Sequence, residues 1–174
     1  MISKILTNAI NEQINAELWS AYLYLSMAMD AEDKHLSGIS NWFFVQWMEE
    51  QDHARIFQKY LASRGGKVNF RPVVGVPDSW PTPLEMFRET LRHEEKVTAM
   101  IHRLVKLAVE EEDFATISRL QWFIDEQVEE ESSAADRIAD LALIGDDNGA
   151  LMAFDEAMSE RTYHKASALK ELEG

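Results

Sequence analysis

The sequence predicts an all-α fold: a bundle of four long helices, with one long crossover between the second and third and a shorter fifth helix at the C-terminus. Three observations predict it. Breakers are scarce, with 7 Gly and 4 Pro in 174 residues, and three of the prolines fall between Pro72 and Pro81, so the rest of the chain is free to form long helices. Apolar residues recur at three- and four-residue spacing, the period of a helix with one buried face. The one long breaker-rich stretch lies near the middle and divides the helices into two pairs.

The first helix runs from Ile2 to about Ala31, with Ile10, Ile14, Leu18, Ala21, Leu25 and Ala28 on its apolar face. The charged stretch Asp30 to Ser37 ends it, and Ser37 can cap a second helix. That helix carries Phe43, Trp47, Phe57 and Leu61 and stops at Gly65-Gly66, a glycine termination. Lys67 to Pro81 reads as a loop. Thr82 caps a third helix with Pro83 at its first position and Glu85 at its third, running to about Glu111. After the acidic turn Glu112-Asp113 a fourth helix extends to about Ile144. Gly145 to Gly149 breaks the chain before a fifth, Ala150 to Leu172. Short turns make the first and second helices, and the third and fourth, antiparallel neighbours. The central loop spans about 50 Å when extended, enough to cross a bundle whose helices are about 40 Å long, so the second and third helices can lie parallel. A single domain over residues 1–174 is expected.

Composition narrows the chemistry. No cysteine is present, which removes disulfides, thiolate zinc sites, Cys-ligated iron-sulfur clusters and thiol catalysis; any metal must use oxygen and imidazole ligands. A net charge of −14 without a basic cluster disfavours nucleic acid as a partner and favours cations. No apolar run is long enough for a membrane span, and the polar residues spaced through MISKILTNAINEQINAEL do not make a secretory signal. A cytoplasmic protein is expected.

Glu50-Gln51-Asp52-His53 is a Glu-x-x-His, which puts a carboxylate and an imidazole on one helical face, the mixed oxygen and nitrogen donors that suit iron. Glu17 sits beside Ile14, Leu18 and Ala21; Glu94 has Leu91, Val97 and Ile101 as helical neighbours; the fourth helix carries Glu126-Gln127-Val128-Glu129-Glu130-Glu131 after Trp122-Phe123-Ile124. Taken singly, each has an ordinary explanation. Glu-x-x-His arises by chance on acidic helices, a Glu at the edge of an apolar stripe usually reaches solvent, and a Glu run is usually a solvated face. Together, Glu17, Glu50, Glu94 and Glu130 place one carboxylate near the middle of each of four successive helices, which makes a dimetal site with His53 completing the first iron. A buried carboxylate costs several kcal/mol unless paired or metal-bound. Tyr24, two turns after Glu17 on the same face, is either a packed core tyrosine or a donor of a hydrogen bond or an electron to the site.

With these residues in place the sequence resembles the bacterial and archaeal non-haem ferritins along essentially its whole length, most closely in NEQINAELWSAYLYLSM, QWMEEQDHARIF, FATISRLQWFIDEQVEEE and the Gly-Gly that ends the second helix. The resemblance implies a ferritin-like four-helix bundle. It implies that Glu17, Glu50 and His53 are ligands of a first ferroxidase iron, with Glu50 bridging, and that Glu94 and Glu130 are ligands of a second, with Gln127 close by to position oxygen or water. It implies a third iron position formed by Glu49, Glu126, Glu129 and Glu130, with Tyr24 between the sites. It also implies a hollow shell of twenty-four identical subunits that oxidises Fe(II) with O2 or hydrogen peroxide and stores the product as ferric mineral. Bacterioferritins carry a second Glu-x-x-His on the fourth helix and a haem-ligating Met at the position of Asp52, whereas here the fourth helix reads Gln127-x-x-Glu130, so no haem is expected. Ser118 and Gln121 stand where animal ferritins carry channel carboxylates, which leaves the route of iron into the shell open.

Two other classes use the same residues differently. A carboxylate di-iron oxidase acting on an organic substrate requires a substrate pocket beside the metals. A structural helical oligomer requires Arg or Lys partners for the buried carboxylates.

Overall fold

Ser3 begins the first helix by accepting a hydrogen bond from the Leu6 N–H at 3.2 Å, and α1 runs Lys4–Asp33. The computed structural model describes residues 1–173. After a tight turn in which His35 takes φ 60°, α2 covers Ser37–Ser63. A crossover without regular structure then leads to α3, Pro83–Glu110, opened by Thr82 and Pro83 as expected. Glu112 at φ 51° makes the next turn, and α4 runs Phe114–Ile144 with the Asp113 carboxylate accepting from the Thr116 N–H. The same carboxylate is gripped by both terminal nitrogens of Arg64, which ties the end of α2 to the start of α4.

The crossover follows a ladder of side chains on α1. Asn11 donates to the Lys67 carbonyl and accepts from the Asn69 N–H. Asn15 does the same for the Asn69 carbonyl and the Arg71 N–H. Trp19 donates to the Val74 carbonyl, Ser26 to the Pro77 carbonyl, and Asp30 accepts from the Trp80 N–H. From Asn11 to Asp30 is about 28 Å along a helix, so the loop is carried nearly the full length of α1 and its backbone polar groups find partners without a strand. The crossover leaves α2 beside the start of α1 and delivers α3 beside its end. Contacts of Ser20 with His93 and of Met27 with Thr90 confirm that α3 runs antiparallel to α1 and so parallel to α2.

Two expectations need correction. Ser37 is the first residue of α2 rather than its cap, and Leu36 at the cap position offers no side-chain bond. Asp155, far along the chain, supplies the missing acceptors, taking the N–H groups of Gly38 at 3.1 Å and Ile39 at 2.8 Å. The fifth helix is also not continuous over Ala150–Leu172. It is two helices, α5 Asn148–Met158 and α6 Ser167–Glu173, because α2 competes for the backbone between them. Asn41 donates toward the carbonyls of Met158, Ser159 and Arg161. The buried carboxylate of Asp52 accepts from the Tyr163 hydroxyl and the Ala166 N–H. A buried carboxylate needs such donors more than this segment needs another turn of helix.

The core is in two parts. Leu6, Ile10, Ile14, Ile56, Phe57, Val97, Ile101, Leu120 and Phe123 fill one half of the bundle. Leu23, Tyr24, Met27, Ile39, Phe43, Met86, Phe87 and Leu141 fill the other. Between them on every long helix lies a polar interval: Glu17 on α1, Gln46 to His53 on α2, Glu94 on α3, and Gln127 to Glu130 on α4.

Gly38 is where α5 meets the bundle, and a Cβ there would fall 1.6 Å from the Asp155 carbonyl oxygen. Gly38→Ala should therefore push α5 away and break the Asp155 cap. A loss of about 1–3 kcal/mol is expected, read as a lower melting temperature with faster hydrogen exchange at Gly38 and Ile39. Unchanged exchange there would contradict the capping role.

Candidate metal centre

Each carboxylate of the polar interval is fixed by its own helix register. Glu17 follows Ile10 and Ile14 on the buried face of α1, and Glu50 and His53 lie between Phe43 and Ile56 on that of α2. Glu17, Glu50 and Glu94 are 1–2% exposed and Glu130 is 7% exposed. Glutamines position three of them. Gln13 donates to Glu17 Oε1 at 2.8 Å, and Gln46 on α2 donates to Glu130 Oε2 at 2.6 Å. Glu94 accepts from the Tyr24 hydroxyl and faces Gln127 Nε2 at 3.2 Å. Tyr24 is also fully buried, stacked on Phe43, so it combines core packing with a hydrogen bond to the site.

His53 lies between two sets of carboxylates. Its Nδ1 lies 3.5 Å from Glu50 Oε2 on the inner side, and its Nε2 3.7 Å from Glu126 Oε1 on the outer side, while Trp122 and Phe123 present ring edges to the imidazole. Among the described residues, two groups bring three ligand atoms within 4.8 Å of one another: Glu17, Glu50 and His53, and His53, Glu126 and Glu130. Glu94 joins neither group and is engaged by Tyr24 and Gln127. Glu49, Glu126, Glu129 and Glu130, with Ser133 and Arg161, line an outer pocket of about 250 Å³.

Burial without countercharge sets the electrostatics. Among the described residues, no Lys or Arg nitrogen lies within 4.0 Å of Glu17, Glu50, Glu94 or Glu130. Burial raises the Glu17 carboxyl above its usual range and Glu50 well above it, with the positive charge of His53 opposing both. Burial pushes Glu94 up to about 7, and burial reinforced by the Glu94 charge pushes Glu130 up to about 8. For His53, burial favours the neutral ring, but the Glu50 carboxylate on one side and the Glu126 carboxylate on the other outweigh it and hold the imidazole well above its ordinary value. Without metal, protons do the work of cations here. Glu17 Oε2 and Glu50 Oε2 are nevertheless buried without a hydrogen-bond partner, and a buried carboxylate oxygen with no donor is one that a bound cation would satisfy.

Four site residues carry no sequence signal of their own. Gln13 and Gln46 look like ordinary helical glutamines. Asp52, between the two ends of the Glu-x-x-His, anchors the C-terminal segment. Arg161, from the segment between α5 and α6, bonds Glu49 at 2.5 Å. Gln13 and Gln46 could have been found by their position one turn from Glu17 and Glu50, but only the fold brings Arg161 to α2.

Four helices that bury carboxylates and an imidazole at one level, between two apolar half-cores, define a carboxylate-rich metal-binding bundle. The Ferritin-like domain family matches residues 7–144. The bacterial non-heme ferritin of Staphylococcus aureus (strain USA300) is 37% identical over 163 residues, covering 94% of this chain and 98% of its own. That of Bacteroides fragilis (strain 638R) is 42% identical over 146 residues, covering 84% and 92%. Among solved structures, the open pore ferritin of the hyperthermophilic archaeon Archaeoglobus fulgidus superposes with a TM-score of 0.92 at 47% identity, over 93% of this chain and 100% of that one. The chain belongs to the ferritin family, among its bacterial and archaeal non-haem members. It is an iron-storage ferritin with a di-iron ferroxidase centre, and it forms a homo-oligomer.

The raised carboxyls give a signed prediction. A carboxyl raised in the fold stabilises it below its usual value of 4.5 and loses that contribution as pH climbs through the folded value, about 7 for Glu94 and about 8 for Glu130. Metal-free protein should therefore lose stability between about pH 4.5 and pH 8. Glu94→Gln and Glu130→Gln should melt above the metal-free parent at pH 8, with the gap shrinking toward pH 5. A gap independent of pH would show that these carboxyls are not titrating in the fold.

Proposed function

We propose that Glu17, Glu50 and His53 hold the first Fe(II), that Glu50 bridges to a second held by Glu94 and Glu130, and that Gln127 positions oxygen or water beside the second. Glu49, Glu126 and Glu129, with Glu130, form the third position, and Tyr24 serves the centre through its bond to Glu94. The observation that carries this reading is the pair of buried, unpartnered oxygens on Glu17 and Glu50, two carboxylates whose ligand atoms gather with that of His53 within 4.8 Å and which have no Lys or Arg beside them. Two divalent ions neutralise four buried carboxylates, so iron replaces the protons that the metal-free site retains.

In the reaction each Fe(II) gives one electron. Dioxygen takes two electrons and two protons to leave as hydrogen peroxide, or hydrogen peroxide takes two and two protons to leave as two waters. The chain's own groups hold the irons, keep the site dry between the half-cores, and place Tyr24 and Gln127 on one ligand. The product Fe(III) is a harder cation that the acidic outer pocket accepts on its way to hydrolysis as mineral. The outer cavity beside the centre is lined by carboxylates, which suits a cation and not an organic substrate.

The same reading takes the whole chain, residues 1–174, as one domain in a shell of twenty-four copies working in the cytoplasm. In support of assembly, Tyr22 and Met29 on α1 and Phe70 and Val74 on the crossover leave large apolar side chains exposed where another subunit can cover them. No helix among the described residues is long and apolar enough to cross a membrane.

Fe(II) titration in air, followed by ferric absorbance and size-exclusion chromatography of the same sample, tests the reading. Rapid oxidation of about two irons per chain, with mineral retained in a very large particle, is expected. Glu50→Ala and His53→Ala should each slow the rapid phase at least about tenfold while the particle stays assembled. Parent rates in both variants would remove these residues from the centre, and oxidation without retained iron would remove storage.

A further inference from the structure

Among the described residues, Arg161 is the one Lys or Arg in contact with the carboxylates of the outer pocket, whose other cationic neighbour, His53, is shared with the inner centre. Its Nη2 lies 2.5 Å from Glu49 Oε2, its Nη1 donates to the Trp42 carbonyl at 3.2 Å, and its guanidinium sits over the Trp42 ring, 4.4 Å from the centroid. Asn41 holds the Arg161 carbonyl at 3.0 Å, and a few residues on, Asp52 holds Tyr163 and Ala166. The side chain is 24% exposed, so it is clamped by an aromatic face and two backbone anchors instead of swinging in solvent. The pocket it faces carries four carboxylates, Glu49, Glu126, Glu129 and Glu130, while the inner centre has no such neighbour.

We propose that Arg161 is a built-in counter-cation of the outer pocket, so that a metal ion binding there must take Glu49 from the guanidinium. The inner and outer positions share Glu130 and are bridged by His53, yet they differ in this one respect. At the inner centre the carboxylates have only protons to exchange for metal. At the outer one a metal displaces a permanent charge that does not deprotonate, and it must do so beside an aromatic ring that favours that charge. The outer position is thereby made the weaker of the two, which suits a site that receives an ion and passes it on. The residue that sets this difference comes from the segment between α5 and α6, so the break in the C-terminal helix has a purpose: a continuous helix over 150–172 would not lay residue 161 across α2.

This inference rests on the outer pocket being a metal position, and the test separates the two. Metal-free assembled protein is titrated with zinc(II) by calorimetry, as parent, Arg161→Gln, Arg161→Lys and Glu129→Gln. The parent should show a weaker step beyond the inner pair, and Glu129→Gln should lose it. Arg161→Gln should tighten that step about tenfold or more, the effect of removing a close, partly desolvated competing charge, and leave the inner steps in place. Arg161→Lys keeps the charge but gives up the planar stacking and the bond to Trp42, so it should stay near the parent. If Glu129→Gln leaves the weaker step intact, the pocket is not the metal position and the inference falls with it. If Glu129→Gln removes the step but Arg161→Gln leaves its affinity unchanged, or Arg161→Lys tightens it as much as Gln does, Arg161 is a tail anchor only and the counter-cation role is overturned.

Discussion

The level at which Glu17, Glu50, Glu94 and Glu130 meet is the constraint around which the rest of the bundle is arranged. Four carboxylates inside a helical core cost far more than any one of them returns through hydrogen bonds, and the protein brings no lysine or arginine to the inner site to offset them. It meets the cost in two ways. Raised proton affinity keeps the metal-free site near neutral, and on the proposed reading the unpartnered oxygens of Glu17 and Glu50 let divalent ions take over from the protons. Storage of charge and capture of iron are the same property seen at different metal concentrations.

The two apolar half-cores follow from this. The Ile10–Ile56–Phe123 half seals one side of the polar layer and the Leu23–Phe43–Phe87 half the other, with the Tyr24 hydroxyl of the second half reaching in to Glu94. Long helices are what make the arrangement affordable in structural terms: each carries apolar turns on either side of the carboxylate it contributes to this level. Gln13, Gln46 and Gln127 then orient carboxylates with neutral donors, which fix geometry without adding a competing charge. Only at the outer pocket, nearer solvent, does the chain place a guanidinium.

The crossover and the C-terminal segment show one device used twice. Both are irregular stretches laid along a long helix by side chains of that helix, Asn11 to Asp30 of α1 for the crossover and Asn41 to Asp52 of α2 for the tail. In each case polar residues spaced along one helical face accept and donate for a backbone that has no ladder of its own. For the crossover this explains how one loop turns two helical hairpins into a bundle with parallel middle helices. For the tail it explains the role of Asp52, inside the Glu-x-x-His segment, whose carboxylate is taken up by Tyr163 and Ala166.

Local order was readable from the chain alone. Helical periods, the Thr82-Pro83 start, the Gly65-Gly66 stop and the length of the proline-rich loop determine four long helices and their connectivity, because each depends on residues within a few positions of one another. The inner carboxylates and His53 were readable as well, since a polar residue recurring at mid-helix in four apolar stripes leaves a local trace. Tertiary structure alone decided the rest: that Asp155 and not Ser37 caps α2, that the C-terminal helix breaks after Met158, that Gln46 on α2 serves Glu130 on α4, and that Arg161 reaches Glu49. Each of these pairs residues more than 80 positions apart, and the energy of such a contact depends on where two helices pack, which no local pattern of residues encodes.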